Sequence, residues 1–290
     1  MSDQTDHDPV TGIDTTGHSW DGIKELNSPL PRWWLWTFYI TIVWGIAYTV
    51  AYPAWPLIER ATGGVIGFST RAQVAEDIAR VDAMNAEVAE RLASADLTTL
   101  AATDPAFQYG VAGGAAVFRA NCSQCHGAGA AGVQAAGYPN LLDDAWLWGG
   151  TLDAIEYTVR HGIRNEIDYD SRWSQMPAYG EMLEDAEIAG VVEYVLSLSG
   201  SDHDAALAEG GAVTFSEQCA ACHGDMGLGM QDQGAPNLAD AIWLYGGSRE
   251  TITETVTYAR FGVMPPWGQR LSDDEIKAVT LYVHQLGGGE

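Results

Sequence analysis

From Trp33 to Ile58 the chain carries no charged residue, and an uncharged apolar run of that length, once helical, spans the hydrocarbon core of a bilayer with some tilt. Aromatic residues crowd both ends, Trp33, Trp34 and Trp36 at one and Tyr48, Tyr52 and Trp55 towards the other, where amphipathic rings suit the two water interfaces. The pattern predicts a transmembrane helix over 33–58. A cleaved signal peptide is disfavoured, because six acids outnumber Lys24 and Arg32 ahead of the run and no small-x-small site follows it. Lys24 and Arg32 on one flank are matched by Arg60 and Arg71 on the other, so the positive charges alone set no orientation.

Beyond the span the periodicity is helical. Val74, Ile78, Val81 and Val88 share one face of a predicted helix over 74–92. Near the end of the chain Ser272 and Glu275 form a capping box, Ile276, Val279, Val283 and Leu286 make one apolar face, and Gly287 to Gly289 stop the helix. Ile188, Val191, Val195 and Leu198 repeat that face earlier. Two further helices are expected over 114–126 and 211–223, with Phe118 and Phe215 in equivalent places. The expected fold is all-α: an N-terminal segment 1–32, a transmembrane helix 33–58, a helical linker 59–108, and two tandem helical domains over 109–200 and 206–290.

The last two helices named run into the chain's chemistry. Cys122-Ser-Gln-Cys125-His126 and Cys219-Ala-Ala-Cys222-His223 use all four cysteines. Two thiols about one helical turn apart suit addition to the two vinyl groups of a haem, and the adjacent histidine then faces the iron as its first axial ligand. A thioredoxin-like dithiol would need a single CxxC in a βαβ context, and a zinc site would want wider Cys and His spacing. Two covalently bound haem c groups are therefore expected, attached through Cys122 and Cys125 and through Cys219 and Cys222, with His126 and His223 as proximal ligands.

The haem unit is duplicated. At the offset that aligns the two motifs, Pro139-Asn140 meets Pro236-Asn237, Trp146 meets Trp243, and Gly149-Gly150 meets Gly246-Gly247. The glycine pairs lack the order and the lysine of a phosphate loop, so no nucleotide is implied. An insertion over 164–175 then interrupts the first copy, after which Met176-Pro177 falls opposite Met264-Pro265. A thioether in the sixth position stabilises ferrous iron and excludes small ligands, so Met176 and Met264 are the expected distal ligands. Met226 and Met230 lie close behind the second motif, and Met182 has no counterpart. His161, read opposite Phe261, leaves bis-histidine ligation open at the first haem. Chain proximity pairs Met176 with His126, but two pseudo-symmetric repeats packed face to face can exchange these segments, and the sequence does not choose.

The net charge of −25 is concentrated after the span, where 33 acids stand against 12 bases. Such a field repels nucleic acid and steers a basic partner, a small cytochrome c among them, or simply keeps the domain soluble.

Gly17-His18-Ser19-Trp20-Asp21-Gly22-Ile23, Asn27-Ser28-Pro29-Leu30-Pro31-Arg32-Trp33-Trp34-Leu35-Trp36 and Tyr52-Pro53-Ala54-Trp55-Pro56 closely resemble the N-terminal signature of the CcoP/FixP family, the di-haem subunit of cbb3-type cytochrome c oxidases. The resemblance extends over the whole chain. It implies a membrane-anchored, non-catalytic subunit with two tandem cytochrome c domains, which takes electrons from a donor cytochrome c and passes them to a mono-haem cytochrome c subunit. That subunit feeds the catalytic haem-copper subunit, where oxygen reduction and proton pumping take place. It also implies the bacterial inner membrane, crossed once, with residues 1–32 cytoplasmic and the haem domains periplasmic, since c-type haem is attached after export. Two other classes fit the haem motifs alone, a free-standing di-haem shuttle and a di-haem peroxidase. The first leaves the Trp-rich signature unexplained, and the second needs an open sixth position that two Met-Pro segments would fill.

Overall fold

The computed structural model describes residues 6–290, and the chain divides into two compact units, Met1–Ala83 and Met84–Glu290. In the first, strands β1 (Thr15–Trp20) and β2 (Ile23–Leu26) form an antiparallel hairpin, a small departure from an all-α fold. Asp21 and Gly22, both at positive φ, make the tight turn that a two-residue hairpin loop requires. The strands are mostly exposed, so no alternation of apolar residues announced them. Helix α1 (Arg32–Ala51) follows, 20 residues long. It ends earlier than the expected 58, because Pro53 pushes Tyr52 out of the helical region, and Tyr52 is extended. At 1.5 Å per residue α1 still reaches about 30 Å, the thickness of a bilayer core. It is long and apolar enough to cross a membrane, and none of its residues is buried.

Helix α2 (Thr70–Ser94) is longer at both ends than the expected 74–92. Its apolar face is largely unused, with Val74, Ile78 and Val81 exposed, and only Leu92 near its end is fully buried.

In the second unit the longer helices start where a side-chain oxygen caps them, a carboxylate at Asp104, Glu184 and Asp204 and a hydroxyl at Thr151, Ser248 and Ser272. Asp104 accepts from the Ala106 amide at the head of α3 (Pro105–Val117), ahead of the expected start at 114. One wider helical turn, in which the Ser123 amide donates to the Phe118 carbonyl, leads into α4 (Ser123–His126). Then come α5 (Leu152–His161) and α6 (Asp185–Leu198). The second copy repeats the order with α7 (Ala205–Gln218), capped by Asp204, then α8 (Ala220–His223), α9 (Arg249–Tyr258) and α10 (Asp273–His284). The capping box of Ser272 and Glu275 is formed as expected, and Glu184 with Glu187 makes its counterpart on α6.

The packing does not follow the division into copies. Helix α10 lies on α3, and α6 lies on α7. One core joins Phe118, Ala130, Ile155 and Val159 of the first copy to Ile276, Val279 and Val283 of the second. The other joins Ile188, Val191, Val192, Val195 and Leu196 to Phe215 and Ile252. The two copies have thus exchanged the halves that begin at their Met-Pro segments. At the exchange Ile163 and Met264 pair as antiparallel backbone, each amide donating to the other's carbonyl at 3.0 Å.

Both helix crossings depend on a missing side chain. A Cβ on Gly114 would collide with the Ala278 carbonyl, and one on Gly211 with the Gly190 carbonyl. A third cluster, Leu92, Leu97, Ala106, Ala278 and Leu281, seats the end of α2 on the first crossing. On the second, the buried Glu193 carboxylate of α6 accepts from the Arg249 guanidinium at the head of α9 and from the Asp204 amide ahead of α7.

Gly114→Ala and Gly211→Ala are each expected to destabilise the second unit by at least about 2 kcal/mol through overpacking. Gly113→Ala and Gly210→Ala, where an added Cβ meets nothing, should be neutral or stabilising by up to about 1 kcal/mol; urea unfolding of the four variants checks the contrast. The hydrogen bond from Arg249 holds the Glu193 carboxyl below the usual glutamate range. Its contribution is complete above that range and is lost as the pH falls through the depressed value. Glu193→Gln should accordingly be less stable than the parent at neutral pH and converge with it in acid, as read from unfolding midpoints across pH.

Candidate haem-binding sites

Two cavities, of about 190 and about 200 Å³, lie beside the two motifs. The first is lined by Cys122, Cys125 and His126, and by Met264 and Pro265 of the second copy. The second is lined by Cys219, Cys222 and His223, and by Met176 and Pro177 of the first. The sequence-predicted residues are therefore brought together crosswise: no Met of a copy lines the cavity of its own motif. Met182, Met226 and Met230 line neither cavity.

Each histidine is aimed by a backbone carbonyl. Nδ1 of His126 lies 3.1 Å from the Pro139 oxygen, and Nδ1 of His223 lies 3.0 Å from that of Pro236. The carbonyl accepts from Nδ1–H, which fixes the tautomer and leaves the Nε2 lone pair free for a metal. Burial pushes both imidazoles below the ordinary histidine pKa, so they are neutral and ready to ligate near pH 7. Burial also pushes the Cys122 and Cys219 thiols up to about 11. A redox-active dithiol depends on a lowered thiol pKa, and these sites offer the reverse. In the sequence the Pro-Asn pairs were repeat markers; the role of their carbonyls is a backbone property that side-chain patterns do not display.

The walls are apolar, with Phe118, Ile155, Val159, Val279 and Val283 around the first cavity and Val191, Val195, Phe215, Ile252 and Val256 around the second. A flat, largely hydrophobic macrocycle held by two thioethers fits such a space. The Trp148 indole N–H, buried in the first wall, meets no acceptor among the described residues. That is a donor which a carboxylate on the bound group would satisfy.

Arg172 and Arg260 show how the copies correspond beyond α5 and α9. Arg172 lies over the Trp148 ring and donates to the Ala154 carbonyl and Thr158 Oγ1. Arg260 lies over Tyr245 and donates to the Thr251 carbonyl and Thr255 Oγ1. These partners are equivalent pairs, so Arg172 matches Arg260 and Trp173 matches Phe261. The reading of an insertion over 164–175 is corrected to 163–171, and His161 is not the counterpart of Phe261. Instead His161 lines neither cavity and bonds through Nδ1 to Asp168 at 3.1 Å.

Comparison with known proteins identifies the family. Residues 12–59 match the model of the N-terminal domain of cytochrome oxidase-cbb3, FixP. Residues 110–195 and 206–283 each match that of cytochrome c oxidase, cbb3-type, subunit III. The chain belongs to the CcoP/FixP family of cbb3-type cytochrome c oxidase subunits. It is 60% identical over 278 residues to the subunit CcoP of Cereibacter sphaeroides, covering 95% of each chain. It is 52% identical to CcoP of Rhodobacter capsulatus, covering 96% of this chain and 97% of the relative. With the subunit FixP of Sinorhizobium medicae the identity is 46% over the full length of both. Membership gives the chain cytochrome c domains, covalently bound haem c, and a place among the subunits of a membrane-bound oxidase. Within the family description, the exchanged arrangement supplies the local geometry of each site.

Proposed function

We propose that this chain is the electron-entry subunit of its oxidase: a single-pass anchor that presents two haem c groups, takes electrons from a donor cytochrome c, and delivers them to a mono-haem cytochrome c subunit and thence to the catalytic haem-copper subunit. The observation that carries this reading is the pair of equivalent cavities, each lined by one Cys-x-x-Cys-His and one Met-Pro. Each haem, when bound, supplies a one-electron couple at its iron.

In this reading Cys122 and Cys125 hold one haem and Cys219 and Cys222 the other. His126 and Met264 would hold the iron of the first, and His223 and Met176 that of the second. The Pro139 and Pro236 carbonyls hold the imidazoles in register, and the apolar walls keep water off the iron, which favours the less charged ferrous state. A methionine held at each iron would leave this chain no open position at which to reduce oxygen or peroxide. Residues 1–32 lie in the cytoplasm and the haem-bearing unit in the periplasm, where covalent attachment takes place. The excess of acids in the exported part steers a basic donor with salt-dependent rates.

Redox titration of the purified membrane complex should show two low-spin c-type haems of positive potential in a chain that co-purifies with a copper- and b-haem-containing subunit; a chain that purifies alone with a high-spin haem would overturn the assignment. The ligand pairing has its own check. In a Cys219→Ser, Cys222→Ser background that retains only the first haem, Met264→Ala should abolish the far-red charge-transfer band of sulfur-ligated ferric haem, and Met176→Ala should leave it.

A further inference from the structure

Arg164 stands in the nine-residue insertion, so it has no counterpart in the second copy. The loop is tied at its base, where the Arg164 amide donates to the Arg172 carbonyl at 2.8 Å and the Asn165 amide to Ser171 Oγ at 3.1 Å. Arg164 itself has a φ of 51°, a left-handed backbone that a side-chain-bearing residue adopts at a cost. The side chain then turns inward. Its Nε donates to the Ser174 carbonyl at 2.5 Å and its Nη1 to the Gly262 carbonyl at 3.0 Å.

Those two acceptors are equivalent. By the match of Arg172 with Arg260, Ser174 corresponds to Gly262, and each lies two residues before its Met-Pro. One guanidinium therefore grips the two exchanged segments by the same atom of each. It also lines both cavities, a property it shares among the described residues with Leu147, Leu244 and Gly262, and of these it is the sole charged group. Its cation lies 5.9 Å from the centre of the Phe261 ring, and among the described residues it forms no ion pair with a carboxylate, unlike Arg160, Arg249 and Arg260. Half-buried cations without a counter-charge are costly, which points to anionic groups that occupy the cavities. The carboxylates carried by haem have that chemistry.

We propose that Arg164 is a positioning residue that couples the two haem sites, holding both Met-Pro segments in register and placing one positive charge in the wall they share, so that it raises both haem potentials together. The proposal rests on the reading of two Met-ligated haems given above. A positive charge near each iron favours the ferrous form, and a single residue that faces both sites moves both in the same direction.

The test is a redox titration of the c-type haems in the intact complex carrying Arg164→Gln, Arg164→Lys or the parent residue, with the sulfur-to-iron band recorded for each. In the parent, two Met-ligated low-spin haems are required; without them the underlying reading fails, independently of Arg164. Given them, Arg164→Gln should lower both potentials with both bands retained, while Arg164→Lys should keep both near the parent values. A shift of one haem only, no shift, or an equal fall in Arg164→Lys would overturn the proposal. So would loss of haem from both Arg164→Gln and the isosteric Arg164→Met, because the residue would then serve folding alone.

Discussion

The close crossing of α10 over α3 and of α6 over α7 is the constraint on which the rest of the haem-bearing unit depends. Each crossing sets a glycine against a carbonyl group, Gly114 on Ala278 and Gly211 on Gly190, and backbones that approach so closely fix the pitch of both helices. The attachment motif follows directly from one partner of each crossing. From the other partner's chain comes the Met-Pro segment. The distance between a histidine and its facing methionine is therefore set by helices that meet well away from either, which is how a scaffold holds a site more rigidly than a loop does.

Exchange makes the two sites interdependent. In two independent tandem domains each cavity would be closed by its own C-terminal helix, and the pair would be joined by a linker. Here the pairing of Ile163 with Met264 and the reciprocal covering of turns, Tyr245 over Gly137 and Trp148 over Gly234, place the two cavities against a common wall. Four residues line both.

Much of this was legible in the residues and some was not, for identifiable reasons. The Cys-x-x-Cys-His motifs are local covalent chemistry, and the apolar faces of α6 and α10 are local periodicity; Ile188, Val191, Val195, Ile276, Val279 and Val283 are all buried. Periodicity states that a face is covered and says nothing of which neighbour covers it. Because the copies carry near-equivalent faces, in-repeat and exchanged packing satisfy the same pattern, and only the three-dimensional contacts separate them. The correspondence of Arg172 with Arg260 was hidden by the insertion, which breaks the constant offset between the copies before either arginine is reached. The hairpin of Thr15–Trp20 and Ile23–Leu26 was missed because it buries little. The end of α1 at Ala51 was readable from Tyr52-Pro53 and was outweighed by the apolar run beyond it.

The exchange has a consequence for the order in which the molecule comes into being. A chain that emerges from its N-terminus presents α3 and its motif before α4 to α9, yet the helix that closes that cavity is α10, made after all of these. The second cavity lacks no late piece of comparable size, since α6 precedes α7 and waits for it. During synthesis the first site therefore stays open to water until residues near Leu286 have been added, whereas the second closes with its own α9. Loss of the last turn of α10 would open the cavity beside the first motif, more than 150 residues earlier in the chain.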